Sequence, residues 1–279
     1  MPRLLRNNDY LRSIQSDNLL QIIESNQQIR LEVEQSAQEE MKSYLAQRYL
    51  VDKIFTDTTE FSFSATYYGK NLIEYTADAW DISTTYVIND RVVYEDKLYK
   101  CTTGCKGVKP TVIANWTYLC DDKSLYYAKT PYAEYSNTTE YVTGNQVWYN
   151  DISYTAKTDT VGNLPTDTNY WTAGSTYSFS GYYPENTTYW TKGDNRSYLI
   201  VQYLIDIVLY HLHARINPRN IPELRIIRYD GNSPMQTGGA IAWLKRVGKG
   251  EITAELPSII PTQGLSIRYG SNDKNVNVF

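Results

Sequence analysis

The chain repeats itself. Laid over residues 135–172, residues 80–117 align without a gap at an offset of 55, and 13 of the 38 positions are identical. An ungapped match of that length means two copies of one small folding unit. Two copies are too few for a stacked solenoid, so the pattern predicts tandem modules set within a longer chain. The shared residues are specific: Tyr86/Tyr141, Val87/Val142, Val92/Val147, Tyr94/Tyr149, Asp96/Asp151, Tyr99/Tyr154, Pro110/Pro165 and Trp116/Trp171. A truncated third echo follows, because Pro184 precedes Trp190 by the same interval that separates Pro110 from Trp116.

Each copy has the pattern of a β hairpin. Val92 and Tyr94 alternate, Glu95-Asp96-Lys97 forms a polar turn, and Leu98-Tyr99 resumes the strand; copy two places Asn150-Asp151 at that turn. A unit of about 40 residues has little core of its own, and aromatic side chains bury the most area per residue. The segment 76–195 holds 16 of the 27 tyrosines and five of the six tryptophans. Tyr86, Tyr94, Tyr99 and Trp116, with Tyr141, Tyr149, Tyr154 and Trp171, are therefore expected to build the two cores. Aromatics present in only one copy are candidates for contact with a ligand or partner. Trp148 stands where copy one has Val93, on the strand face opposite Val147 and Tyr149, and is expected to be an open platform. Tyr118 and Tyr170 are further candidates, each unmatched by an aromatic in the other copy.

Metal and catalytic chemistry find little support. Cys101, Cys105 and Cys120 are one ligand short of a structural zinc site, and copy two replaces them with Ala156, Thr160 and Ser175. His211 and His213 lie about 200° apart around a helix, so they cannot face one ion. The sequence has no glycine-rich phosphate loop, no G-x-S-x-G turn and no H-E-x-x-H pair. No cofactor, no metal and no enzymatic activity are expected.

The flanks have helical periodicity. Ile29, Val33, Ala37, Met41, Tyr44 and Leu45 are spaced for one helix face; "RSYLIVQYLIDIVLYHLHARIN" predicts a strong helix stopped at Asn217-Pro218. A further helix ends at Gly231, and Ala240, Leu244 and Val247 stripe the last one. Residues 198–212 form the longest apolar run, yet Asp206 interrupts it and it is short for a bilayer, so a buried helix is expected. With no apolar leader at the N-terminus, synthesis in a cytoplasm without a membrane anchor is expected. The net charge of −4 argues against general affinity for nucleic acid, although residues 196–279 carry ten basic against six acidic side chains. The fold class expected is α+β: a helical domain with halves at 1–75 and 196–256, interrupted by β modules at 76–130 and 131–195, and an extended tail at 257–279.

Two resemblances follow. Trp80, Tyr86, Asp90, Val92, Tyr94, Tyr99, Pro110 and Trp116 form a pattern that resembles the small chitin- or carbohydrate-binding modules attached to chitinases and cellulases. The flanks resemble head–tail connector (adaptor, or head-completion) proteins of tailed bacteriophages. That likeness rests on Ala37, Tyr44, Leu45, Arg48 and Tyr49, then Arg228, Tyr229, Ala240, Trp243, Leu244, Val247, Gly250 and Ile252. It implies a structural protein of the virion neck, about twelve copies forming a ring between portal and tail around the DNA channel, with no reading of DNA sequence. Portal, tail and neck proteins would be its partners, and the modules would dock surface polysaccharide or a fibre. The alternative is a glycan-binding protein, for which the modules and the sequons at Asn115, Asn137, Asn186 and Asn195 speak.

Overall fold

Apolar spacing at the two ends produces helices there. The computed structural model describes residues 4–56, 58–231 and 238–257. Among these the protein is mixed α/β, with seven helices and several small sheets. A 3₁₀ helix (Asn7–Arg12) precedes α1 (Ser16–Ile22), α2 (Gln27–Leu45) and α3 (Val51–Ile54); α4 (Tyr198–Ile216), α5 (Glu223–Asp230) and α6 (Ala240–Lys249) follow the β region. Asn26 caps α2 by accepting from the Gln28 N–H at 3.0 Å, and Ser197 caps α4 by accepting from that of Ile200. The described residues fall into two compact units, 4–131 with 176–257, and 132–175.

Within the first unit one apolar cluster draws on both ends of the chain. Leu4, Tyr10, Ile23, Ala37, Met41 and Leu45 share it with Ile205, Val208, Leu212, Leu244 and Val247. The long apolar helix α4 supplies much of it, burying nine positions. One is Asp206, held by Gln202 Nε2 at 3.3 Å and facing Arg228 Nη1 at 3.6 Å. Burial pushes its carboxyl above the usual aspartate range.

The truncated third echo is a complete module whose pieces are scattered along the chain. Module one pairs Arg91–Tyr94 with Lys97–Cys101 and the latter with Trp116–Asp121; module two pairs Gln146–Tyr149, Ile152–Ala156 and Trp171–Thr176 in the same order. The same motif recurs in Leu72–Tyr75, Ser124–Ala128 and Trp190–Lys192, with Thr58–Glu60 added in parallel at the edge. Each copy repeats its hydrogen bonds. Trp116, Trp171 and Trp190 donate from Nε1 to the carbonyl eight residues back, at 3.1, 3.0 and 2.9 Å. The Tyr86, Tyr141 and Tyr67 hydroxyls accept the N–H five residues back, at 2.7, 2.8 and 2.8 Å. Even the strained position recurs, since Asn89, Gly144 and Lys70 all adopt positive φ. In the order of the chain, module one replaces the third module's hairpin turn, and module two is inserted between the segments that form its second and third strands.

This arrangement corrects two sequence expectations. Residues 58–75, assigned to the helical domain, form strands of the third module, and the echo at 184–190 is that module's final segment rather than a fragment. The spacing hid it, because its equivalents of Tyr86, Tyr99 and Trp116 are Tyr67, Tyr126 and Trp190, at three different offsets. The tail expected at 257–279 lies, beyond Pro257, outside the described residues.

Candidate functional site

The expected core aromatics are placed as follows. Tyr86, Trp116, Tyr141, Tyr154 and Trp171 are buried, and Tyr99 and Tyr149 pack partly buried against the same clusters. Tyr94 meets Trp80 edge-on at 5.5 Å. Edge-to-face pairs of Tyr86 with Trp116 and of Tyr141 with Trp171, at 5.2 and 5.3 Å, close the two cores alike.

The structure does not bring the three candidate contact residues together. Tyr118 is 48% exposed, and its hydroxyl donates to Asp121 Oδ1 at 2.9 Å, a bond that raises its pKa. Tyr170 packs partly buried against the core of module two. Trp148 is only 4% exposed, so the open indole platform expected there does not exist. Strand alternation did put it opposite Val147, and it stands outside that core cluster. The correction is that this outer face is a packing face in every copy. The equivalent Val93 packs against the third module's cluster, which also takes Leu98 and Cys120 from module one, and Glu74 pairs with Arg6. The cysteines are thus packing residues: Cys101 is buried in module one's core, with Sγ donating to the Thr103 carbonyl at 3.3 Å. Among the described residues no cluster of three His, Cys, Asp or Glu side chains is arranged to hold a metal.

A surface that sequence reasoning missed lies on the loops at one end of module one. Ile82, Val87, Ile88, Val112 and Ile113 are 66, 60, 61, 43 and 91% exposed. Backbone contacts join their loops. The Asn89 N–H donates to the Cys101 carbonyl and that of Thr102 to the Asn115 carbonyl, while Gly107 lies against Ile82. At four of the five positions module two removes the explanation that the fold needs aliphatic groups there, while the fifth, Val87, is matched by Val142, which is exposed as well. Module two has Asn137, Thr143, Asp167 and Thr168 in place of Ile82, Ile88, Val112 and Ile113; the third module has Gly69, Asn186 and Thr187 at the last three. Asp167 and Asn186 each accept the N–H two residues on, at 2.9 and 3.0 Å, a turn-closing bond that Val112 cannot make. Module one gives up a local hydrogen bond to expose an apolar side chain. The copies' differences, rather than their identities, carried the signal.

In the helical region the two segments that carried the connector resemblance touch. Tyr229 donates to Glu40 Oε1 at 2.7 Å, and Glu40 Oε2 lies 2.7 Å from His211 Nε2. Its bond to His211 and that from Tyr229 hold the Glu40 carboxyl below its usual range against desolvation. The Tyr49 hydroxyl accepts the Ala254 N–H at 3.1 Å. Gly250 ends α6 in the left-handed conformation at φ 80°, where a Cβ would overlap the Arg48 guanidinium; a Cβ at Gly248 would lie 2.8 Å from the Tyr44 carbonyl. No family model matches the chain, and neither does any curated protein.

Proposed function

We propose that the chain is a structural subunit of a tailed-bacteriophage neck. Helices from its two ends form one bundle that packs against copies of itself in a ring between portal and tail, and the ring surrounds the DNA channel without reading sequence. The β modules interrupt this bundle, and the aliphatic loop end of module one docks another virion protein. The supporting observation is the interlock of the two resembling segments: Tyr44, Arg48 and Tyr49 meet Gly248, Gly250 and Ala254. Segments some 200 residues apart in sequence need a common body to meet this way, and a closed ring asks each body for two different contact faces. The docking role is supported by Ile82, Ile88, Val112 and Ile113, exposed where module two is polar.

The glycan-binding alternative through an exposed indole has lost its residue, since Trp148 is buried. The test is native mass spectrometry of the full chain with and without purified portal protein. A ring of about a dozen subunits, alone or on the portal, is the expected result. A chain that stays monomeric with portal present at micromolar concentration overturns the reading.

A further inference from the structure

Module one places thiols at two neighbouring positions of the repeated core. Cys101 lies opposite Trp116 on the adjacent strand, Cys105 lies opposite Tyr86, and the rings of those two partners meet edge to face at 5.2 Å. Both cysteines therefore turn into one cluster, Cys101 buried within it and Cys105 half-buried at its margin. Only Thr102, Thr103 and Gly104 separate them, and Cys101 Sγ leans over that short span, donating to the Thr103 carbonyl at 3.3 Å. Burial first, and then the nearness of the Cys105 thiol, raises the Cys101 pKa.

The module fold does not call for sulfur at either place. The residue opposite the equivalent tyrosine is Thr160 in module two and Phe179 in the third module. At the position of Cys101 stand Ala156 and Ala128, the latter opposite Trp190. Packing is thus met by alanine together with threonine or phenylalanine, and two adjacent thiols add a chemistry that the sister copies lack. Cys120 belongs to a different core, buried in the third module's cluster with Tyr126.

From this placement we infer that Cys101 and Cys105 are a redox pair that closes to an intramolecular disulfide. Cys105, the more exposed thiol, attacks a low-molecular-weight disulfide as its thiolate; one small thiol leaves, and a mixed disulfide forms on Cys105. The Cys101 thiolate then attacks Cys105 Sγ and expels the second small thiol. Two protein thiols are oxidised, one small disulfide is reduced to two thiols, and the two protons the cysteines lose end on those thiols. The bridge closes the segment on which the aliphatic loops of module one meet. The Asn89 N–H donates to the Cys101 carbonyl, the Thr102 and Thr103 N–H groups donate to that of Asn115, and Gly107 lies against Ile82. A cross-link there limits opening of the segment and fixes the loops that expose Ile88 and Ile113. The pair is independent of the neck reading; only its timing rests on that reading, open in the reducing cytoplasm of assembly and closed in the released particle.

The test incubates the full chain, reduced and native, with oxidised glutathione, then alkylates it in denaturant with iodoacetamide and maps it by mass spectrometry. Trypsin cuts after Lys100 and Lys106, so both cysteines lie in one peptide, 101–106. The expected result is that peptide unalkylated and about 2 Da lighter than its reduced form, the loss of two hydrogen atoms, with the label on Cys120 alone. Cys105→Thr, which installs the residue of module two, leaves the peptide unbridged, while Cys120→Ser bridges as the parent does. In the bridged chain the Asn89 amide exchanges about ten-fold or more slowly than in the reduced chain. Full alkylation of Cys101 and Cys105 after oxidation, a glutathione adduct that persists on Cys105, or a bridge to Cys120 overturns the pair. Unchanged exchange at Asn89 overturns its effect on the loops. None of these outcomes bears on the subunit mass, which tests the ring separately.

Discussion

Val112→Asp should make module one more stable, contrary to the usual effect of changing a residue in a folded loop. Val112 is 43% exposed and absent from its module's core cluster, so removing its methyl groups sacrifices little burial. The aspartate gains the turn bond that Asp167 and Asn186 make at 2.9 and 3.0 Å. A net side-chain hydrogen bond contributes about 1 kcal/mol, or roughly five-fold in an opening equilibrium. The readout is native-state hydrogen exchange at the Trp116 amide, which donates to the Val112 carbonyl at 3.1 Å. Exchange there slows about five-fold in Val112→Asp. The reciprocal change, Asp167→Val, speeds exchange at the Trp171 amide, which donates to the Asp167 carbonyl at 3.0 Å, by about the same factor. Unchanged or faster exchange at Trp116 would refute the reasoning, for it would mean that Val112 supports the loop instead of being kept at a cost for contact with a partner.

Two more predictions concern a half-buried carboxylate and a buried indole. Glu40 has its folded pKa below the ordinary 4.5, chiefly through the bond to His211, so its stabilisation is complete above that pH and is lost as pH falls through the folded value. Urea titrations at pH 7 and pH 3 should therefore show Glu40→Gln less stable than the parent at pH 7 and the gap narrowing at pH 3; a constant gap would reject the coupling. Trp148→Ala should destabilise by about 3 kcal/mol or more, as emptying a buried indole site does, measured by denaturant unfolding. Native stability in that variant would return Trp148 to the surface.

The helices were readable from the chain because their ends are written locally. Asn217-Pro218 follows Ile216, Gly231 follows Asp230, and apolar spacing marks the buried faces of α2 and α6. Modules one and two were readable because each is continuous, so a single offset exposes both. The third was not, because its strands pair across inserted chain and leave no constant interval. Period-two alternation told which side of its strand Trp148 occupies, but not what lies on that side, since a packing face and a binding face have the same pattern. The loop residues Val112 and Ile113 carried a different kind of message. Their exposure depends on the backbone of loops with no period, and only the polar groups at the same place in the sister modules give their apolar character a meaning. The ion pair of Arg91 in module one with Glu185 in the third module, at 3.1 Å, joins residues 94 positions apart and has no local trace in the sequence.

The interleaving of the three modules has a consequence for how the chain is made. They close like nested parentheses: module one has all its strands once Asp121 has emerged and module two once Thr176 has, whereas the third waits for Lys192 and the helical core for α6. A growing polypeptide must therefore carry Leu72–Tyr75 with one neighbour missing until the first insert has folded and brought Ser124 back to it. Each finished insert acts as a clasp that shortens the gap its host must bridge, so a lesion in module one reaches the third module through assembly order as well as through the contacts of Leu98 and Cys120.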